Sequence, residues 1–555
     1  MQIRIFIVLL AFVTFYTSFS QTQHNLSIGF ESNSQYYVDD SVTGDFEEGN
    51  PFRSNNYLKV DYGIGSFKFG VQAEGYVPQY LLNYSPKYDQ QINVGTYYGS
   101  YTTDKFDITL GHFYGQFGNG LIFRAWEDRQ LGINNALRGA KVFFQPTERI
   151  SFTALYGQQR VGFKVSDGNI YGLDSNFDLS TENTSLQIGV SFVNRYHNIV
   201  SNNPNFNPDT KAYSYRLQFA KNSFYANVES AFKTKDAYKK DGVIYDKSLF
   251  YGNALLLEFG YSQKGFGLTT TLRRLENMSF YSDREVAGNL FNEQIVNYIP
   301  GLTKQHDYLL TNLYVYQAQP NLSITATEQK AGEIGGQIDL YYKFKKGSAL
   351  GGKYGTKIAA NYSHWFGLDA SYNTEFKRAN VTYFGKGELY FKDVNIEIRK
   401  KLSKKLSGIL TFVNSTYNRK VLEGEKGMIE SNVLVTEATY KMSRKQSLRL
   451  ELQHLWSEGD LAEVLDDGTE IERKNWVAGT AEFNVNSHFS LFANDMFNYS
   501  YNKEHYYNVG GSYTKNKSRF ALSYGRTRGG LLCVGGVCRI VPAATGLTFN
   551  LTTSF

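Results

Sequence analysis

Short runs in which apolar and polar residues alternate recur along nearly the whole chain. Successive side chains of a β-strand point to opposite faces, so such runs predict strands with one apolar and one polar face. The clearest examples are residues 67–74, 224–229, 394–399 and 448–453. In the last run, one face carries Leu448, Leu450 and Leu452, and the other carries Arg449, Glu451 and Gln453. The charges therefore concentrate on one face of each strand.

Turn lengths differ between the two ends of these strands. Short turns are predicted at 63–66, 103–105, 146–149, 222–223, 263–265, 401–404, 443–446, 486–488 and 516–517. Long polar segments are predicted at 41–54, 77–91, 117–137, 236–248, 457–474 and 528–544. Adding weaker strands near 170–179 and 289–297 places every short turn at the same end. This count gives about 26 strands, with roughly 22 to 24 as the alternative.

Composition supports a membrane barrel over an array of soluble domains. The 555 residues include 43 Tyr and 41 Phe, which suit aromatic girdles at the two membrane interfaces. No fixed repeat and no linker divides the chain, and no run of about 18 apolar residues follows the first 20. We therefore expect an all-β fold, a single large transmembrane antiparallel β-barrel over residues 21–555. The first strand begins near Leu26, so no N-terminal plug domain is expected.

The first 20 residues have the pattern of a secretory signal peptide. Arg4 precedes an apolar run over residues 5–15, and Ser18 and Ser20 are the small residues of a cleavage site. Export combined with strand alternation predicts a bacterial outer-membrane location with both termini in the periplasm. Outer-membrane lipid and lipopolysaccharide are then the expected surroundings, and the modest net charge of +6 predicts no nucleic-acid partner.

The last ten residues alternate and end on Phe555. This stretch resembles the closing strand of bacterial outer-membrane barrels. The resemblance implies that Phe555 is an assembly signal read by the barrel-assembly machinery during biogenesis.

A glycine-rich and charge-rich stretch between residues 111 and 139 is the candidate loop. Gly115, Gly118 and Gly120 permit a compact or inward-bent backbone. The candidate residues of this loop are Arg124, Glu127, Asp128, Arg129 and Arg138. Two interpretations remain open: a constriction or ligand-binding loop lined by these charges, or a salt-bridged loop that pins itself to the wall.

Five blocks are distinctive in their order: residues 111–139, 299–308, 332–342, 351–356 and 533–538. Together they resemble an uncharacterised outer-membrane β-barrel family of Bacteroidota, a domain of unknown function. The resemblance implies a fold and a location, and it carries no activity and no catalytic residues.

The only two cysteines, Cys533 and Cys538, flank a Gly535-Gly536 hairpin turn. In such a hairpin they lie opposite each other, within the distance that a disulfide spans. Zinc normally needs more ligands, so a disulfide is predicted in preference to a metal site. We expect it to hold the tip of an outer loop rigid at the cell surface.

No arrangement of residues typical of an enzyme active site is recognisable in the sequence, and neither a cofactor nor a metal is predicted. The eight histidines are scattered without a recognisable metal spacing. The favoured function is a porin- or transport-like channel of unknown substrate. The alternatives are a structural or partner-binding barrel within an outer-membrane secretion or assembly complex and, less favoured, an outer-membrane hydrolase. The mixed charges on the polar faces fit either a weakly selective pore or salt bridges that fill the lumen.

Overall fold

The computed structural model describes residues 24–555 except 47–48, 286–292 and 465–468. The expected signal peptide, residues 1–20, lies outside the described residues. Within the described part of the chain no helix has the length and hydrophobicity needed to cross a bilayer.

Twenty-four antiparallel strands form one closed sheet. Each strand pairs with the next one in this sheet, and the last strand pairs with the first from Gly29↔Ser554 to Tyr37↔Gly546. Closure leaves the barrel without a free strand edge. In chain order the strands are His24–Tyr37, Phe52–Ile64, Phe67–Tyr76, Ile92–Thr102, Phe106–Phe113, Leu137–Thr147, Ile150–Val161, Lys164–Asp178, Ser185–Tyr196, Asp209–Lys221, Phe224–Lys240, Val243–Gln263, Phe266–Glu276, Gly332–Phe344, Thr356–Asn373, Arg378–Lys401, Leu406–Asn418, Met428–Lys441, Ser447–Glu458, Asn475–Asn484, Phe489–Asn498, His505–Lys515, Ser518–Thr527 and Ala544–Ser554.

The expected two faces are present on these strands. Phe69 and Leu452 point outward and are 50% and 70% exposed, whereas Gln72 and Glu451 point inward and are each 3% exposed. Apolar side chains thus cover the outside of the barrel, and polar side chains line much of the lumen. The all-β, antiparallel single-barrel prediction is confirmed.

The strand count of about 26 is wrong, and 24 falls within the alternative range. The weak strand near 170–179 is part of Lys164–Asp178. For the one near 289–297, residues 289–292 lie outside the described residues, and 293–297 add no strand to the barrel sheet.

The long loop expected at 236–248 is also wrong. Strands Phe224–Lys240 and Val243–Gln263 pair as far as Lys240↔Val243. Asp241 and Gly242 close this hairpin, and both have positive φ angles, 50° and 78°. An Asp-Gly pair with positive φ at both residues is the favoured two-residue hairpin turn. The polar residues therefore extend two strands beyond their neighbours.

Three segments at the long-loop end fold into the lumen. The plug segment is residues 277–331, of which 277–285 and 293–331 are described; it joins the thirteenth and fourteenth strands and contains the short 3₁₀ turn Leu310–Asn312. The glycine loop, residues 114–136, joins the fifth and sixth strands and contains the short pairings of Gly115–Gln116 with Arg124–Ala125 and of Glu127–Asp128 with Ile133–Asn134. The cysteine hairpin pairs Gly530–Val534 with Val537–Val541.

These segments give the lumen a hydrophobic core. Its largest cluster combines the inward side chains Leu155, Ile170 and Val193 with Phe117 and Phe280 from the inserted segments. At the opposite, short-turn end the inward side chains Lys68 and Arg399 are 53% and 54% exposed. The long-loop half of the lumen is therefore packed, whereas the short-turn half is a solvated vestibule.

Candidate functional site: a plugged lumen with a cavity

The plug segment and the glycine loop hold each other through main-chain hydrogen bonds. Arg124 N–H donates to Val296 O at 2.8 Å, and Tyr298 N–H donates to Gly120 O at 2.9 Å. The buried Asn297 side chain donates to Leu121 O and Met278 O at 3.1 and 2.7 Å. Because these bonds satisfy main-chain groups that are shielded from water, the two segments form one unit.

Wall residues far apart in sequence hold this unit from opposite sides. On one side, Gln159 donates to Ile295 O at 2.6 Å and Lys233 donates to Ser279 O at 2.6 Å. On the other side, the Trp365 indole donates to Leu302 O at 3.1 Å, and Gln453 Oε1 accepts the N–H of Leu310 at 2.8 Å. His306 Nε2 lies 2.9 Å from Asn395 Oδ1. These contacts extend from the seventh to the nineteenth strand, so the plug segment crosses the lumen.

The tip of the glycine loop is hydrogen-bonded to a buried carboxylate of the wall, Glu229. Glu229 Oε2 accepts the main-chain and side-chain N–H groups of Asn119 at 2.8 and 2.7 Å. Gly118 beside it has a φ of 52°, and a Cβ there would lie 2.4 Å from Arg216 Cδ. Only glycine fits this approach without displacing the wall.

The five candidate residues of the loop do not form a single site. Arg129 binds Glu31 and Glu127 at 2.5 and 3.1 Å and lies 4.1 Å from the Tyr57 ring centroid. Arg129 thus joins the glycine loop to the first strand through Glu31. Burial acts to lower the pKa of Arg129, but Glu127 and Glu31 together outweigh it and raise the pKa above its ordinary value.

The other candidates have separate surroundings. Arg124 stacks 3.7 Å from the Tyr298 ring centroid, on the plug segment. Asp128 accepts the N–H of Leu131 at 2.9 Å inside the loop. Arg138 lies in the strand Leu137–Thr147 and is exposed, next to the inward-facing Leu137.

Buried ion pairs line the wall beside the plug segment. Arg160 binds both oxygens of Glu74 at 2.9 and 2.5 Å, and both side chains are at most 2% exposed. Arg216 binds Asp174 at 2.6 Å. The sequence indicated that such residues face the lumen, but it gave no signal for which acid pairs with which base.

Cys533 and Cys538 form the predicted disulfide, with an S–S distance of 2.02 Å and directly paired Cα atoms. The hairpin folds onto the plug segment, however. Gly301 N–H donates to Gly536 O at 2.7 Å, and the Tyr298 hydroxyl donates to Gly535 O at 3.0 Å. A Cβ at Gly536, whose φ is 81°, would lie 2.5 Å from Gly301 O. The hairpin tip thus contacts the plug segment instead of extending away from the barrel.

A cavity of about 770 Å³ lies between the plug segment, the cysteine hairpin and the long-loop end of the wall. Aromatic rings form much of its surface: Trp126, Phe280, Tyr281, Tyr298, Tyr314 and Tyr417. Four arginines also line it, Arg419, Arg473, Arg528 and Arg539, together with Glu423, Glu425 and Asp460.

Two of these arginines are neutralised locally. Arg419, at the start of the one-turn helix Arg419–Leu422, binds Glu423 at 3.0 Å and Asp460 at 3.2 Å. Arg473 also binds Asp460, at 2.9 Å. Tyr314 of the plug segment donates its hydroxyl to the same carboxylate at 2.6 Å. Burial and this carboxylate raise the pKa of Tyr314 far above its ordinary value, which keeps the hydroxyl protonated.

One cluster of described residues has the composition of a metal site. Ligand atoms of His197, Asp283 and Glu285 lie within 4.8 Å of one another. Nδ1 of His197 already accepts the N–H of Arg284 at 3.2 Å, which leaves Nε2–H facing Asp283 Oδ1 at 3.6 Å. A protonated Nε2 is a donor and cannot ligate a cation. In this arrangement His197 is therefore not available as a metal ligand.

The whole chain, residues 1–555, matches the family of unknown function DUF6029. The protein belongs to DUF6029. No curated relative matches its sequence.

Solved structures similar to this DUF6029 member include large barrels. They include the copper transporter OprC, at 10% identity and a TM-score of 0.39, covering 97% of this chain and 81% of that one. The siderophore receptor PirA from Pseudomonas aeruginosa has 10% identity and a TM-score of 0.40 over the same shares. The translocation pore of the P pilus usher PapC has 8% identity and a TM-score of 0.39, over 96% and 99%.

Proposed function

We propose that this protein is an outer-membrane transport barrel whose path is closed at rest by the plug segment. The observation that carries the proposal is the plug segment itself, which crosses the lumen and is hydrogen-bonded to walls on both sides. A barrel of this strand number without such a segment would enclose an aqueous channel. The solvated vestibule at the short-turn end gives a solute room once the plug segment moves.

The outer-membrane location is supported by the outside of the barrel. Aromatic and aliphatic side chains such as Phe69, Leu452 and Leu522 are exposed there, and in water such a surface would be an aggregation hazard. We expect the protein in the outer-membrane fraction, with heat-modifiable migration on gels. Recovery of the intact folded protein in the soluble fraction after cell breakage would contradict this part of the proposal.

The decisive experiment compares conductance in planar bilayers. Wild-type protein should be closed for most of the recording. Replacing residues 277–331 by an Asp-Gly turn should open large, persistent channels. This replacement is compatible with the wall because Glu276 and Gly332, the residues that flank the plug segment, are paired with each other in the sheet.

A matched control is available at the other end of the barrel. Residues 345–355 also join two paired residues, Phe344 and Thr356, but they lie at the short-turn end. Their replacement by the same turn should leave the barrel closed. If the variant without the plug segment is folded yet silent, transport through this lumen is ruled out. A stable complex recovered under mild detergent would then favour the structural or partner-binding alternative.

A further inference from the structure

The cavity beside the plug segment contains two hydrogen-bond donors without partners among the described residues. The guanidinium of Arg528 forms neither a hydrogen bond nor an ion pair with another described residue, unlike Arg419 and Arg473. The indole N–H of Trp476 also lacks a partner, although Trp476 is only 4% exposed. A buried donor without an acceptor is costly, and native structures rarely retain one without a reason.

These two donors belong to the same part of the cavity. The Trp476 ring packs against Tyr506, with ring centroids 6.2 Å apart, and Tyr314 joins the same cluster. Tyr314 and Tyr506 are also close enough to Arg528 to act on its charge. Burial lowers the pKa of Arg528, and Arg473 acts in the same direction against Tyr314, Tyr506 and Asp460. Because the guanidinium of Arg528 also lacks an ion pair with a described residue, a bound anion would stabilise this cation.

Aromatic rings line another part of the cavity. Tyr298, Tyr417 and Trp126 line the cavity with aromatic surface, and the volume of about 770 Å³ is that of a small-molecule pocket. Aromatic faces beside a few convergent polar groups favour a ligand with an apolar or ring-shaped body and one polar head.

We propose that this cavity binds a small organic anion, whose acidic group is held by Arg528 and the Trp476 indole and whose ring packs on the aromatic wall. The ligand would contact Tyr298 and Tyr314 of the plug segment and the cysteine hairpin together, so that binding biases the position of the plug segment. The inference rests on the proposed function only for this last consequence, because binding itself does not require transport.

The test is isothermal titration of naphthalene-2-carboxylate into purified full-length protein in detergent, with empty micelles as the blank. Naphthalene-2-carboxamide is the neutral probe of the same shape. Wild-type protein should bind the carboxylate roughly ten-fold more tightly than the carboxamide. Arg528→Gln should weaken carboxylate binding by roughly ten-fold and abolish the preference. Trp476→Phe, which keeps a ring and removes the N–H, should weaken carboxylate binding by a smaller factor.

Arg444→Gln, in an exposed turn at the opposite end of the barrel, is the matched control and should bind as wild type. Heat-modifiable migration verifies that each variant is folded. Equal wild-type affinity for both probes, or an unchanged preference in folded Arg528→Gln, would overturn the proposal; so would the absence of carboxylate binding. The proposed function is tested separately. It fails if the variant without the plug segment shows no conductance in bilayers, whatever the result of the titration.

Discussion

Glu333 and Arg273 form a buried ion pair where the wall meets the plug segment. Arg273 Nε and Nη2 donate to Glu333 Oε1 at 3.1 and 2.6 Å, and neither side chain is more than 2% exposed. The other oxygen, Oε2, accepts the N–H of Gln319 at 2.7 Å and the hydroxyl of Tyr316. A single wall carboxylate thus neutralises a buried cation and holds the plug segment.

Removing this charge should release the plug segment. Glu333→Gln leaves Arg273 buried without its counter-ion, and breaking a buried pair in this way costs about 3–5 kcal/mol. We expect a lower free energy of unfolding in urea and frequent channel openings in bilayers.

The matched control for Glu333 is Glu397→Gln. Glu397 also lies on the lumen wall and pairs with an arginine, Arg399, which is 54% exposed in the vestibule. Loss of such a solvated pair should cost at most about 1 kcal/mol and leave the barrel closed. Equal effects of the two substitutions would contradict a specific role of Glu333 in holding the plug segment.

Mild acid should loosen the plug segment around His306. Burial lowers the pKa of His306, with Lys304 and Arg399 acting in the same direction against Asn395 and Glu397. While the plug segment is packed on the wall, the His306 imidazole therefore stays neutral at pH values below its ordinary pKa of about 6.5. Once the plug segment detaches, the imidazole takes up a proton at those pH values. The free energy that keeps the plug segment packed on the wall should be largest above about pH 7 and should decrease as the pH drops through about 6.5.

Hydrogen exchange of residues 302–312 at about pH 7.5 and about pH 5.5, corrected for intrinsic rates, measures this effect. Protection should decrease in acid for the wild type. His306→Gln retains an amide to face Asn395 and does not titrate, so its protection should be independent of pH. The same loss of protection in His306→Gln would assign the acid effect to another group.

The disulfide should matter for the cysteine hairpin and not for the barrel. It closes a short loop, so replacing Cys533 and Cys538 by Ser should cost no more than about 2 kcal/mol. We expect normal assembly and faster proteolytic cleavage within residues 530–541, because the hairpin then leaves the plug segment more often. Unchanged cleavage, or failure to assemble, would contradict this role.

Deletion of Phe555 should impair assembly and leave degraded protein in the periplasm. The Phe555 N–H donates to Ile28 O at 2.8 Å, and its ring is 70% exposed on the outside of the barrel. The ring thus remains accessible to a receptor while the backbone completes the closing strand. Phe555→Tyr keeps the ring and should assemble; equal yields of the deletion variant and wild type would exclude an assembly signal at this position.

Features that depend only on residues close together in the sequence were predictable. Strand faces follow from alternation, the turn at Gly535-Gly536 from its conformational preference, and the Cys533–Cys538 bond from that turn. The error at 236–248 has a local cause too, since Asp241-Gly242 is a hairpin turn within a polar stretch.

The plug segment was not predictable in this way. Residues 277–331 lack alternation, and their contacts join residues distant in sequence, such as Leu310 with Gln453, 143 positions apart. Arg160 likewise pairs with Glu74, 86 positions away. Many inward-facing acids and bases satisfy the same alternation, so pairing is determined only when the barrel closes. The aromatic cavity and its donors Arg528 and Trp476 depend on the same closure.

The division of the lumen into a packed half and a solvated half has a consequence for mutational tolerance. In the strand Ser447–Glu458, Arg449 faces the vestibule, whereas Leu455 is fully buried against the plug segment. Both occupy inward positions of one alternating pattern. Lysine, which keeps a positive charge beside Glu451, should be accepted at the first position, whereas polar residues should be rejected at the second. Tolerance of polar side chains should therefore change along one face of one strand. A deep mutational scan of these strands would therefore map the depth of the plug segment residue by residue, without any ligand or partner being known.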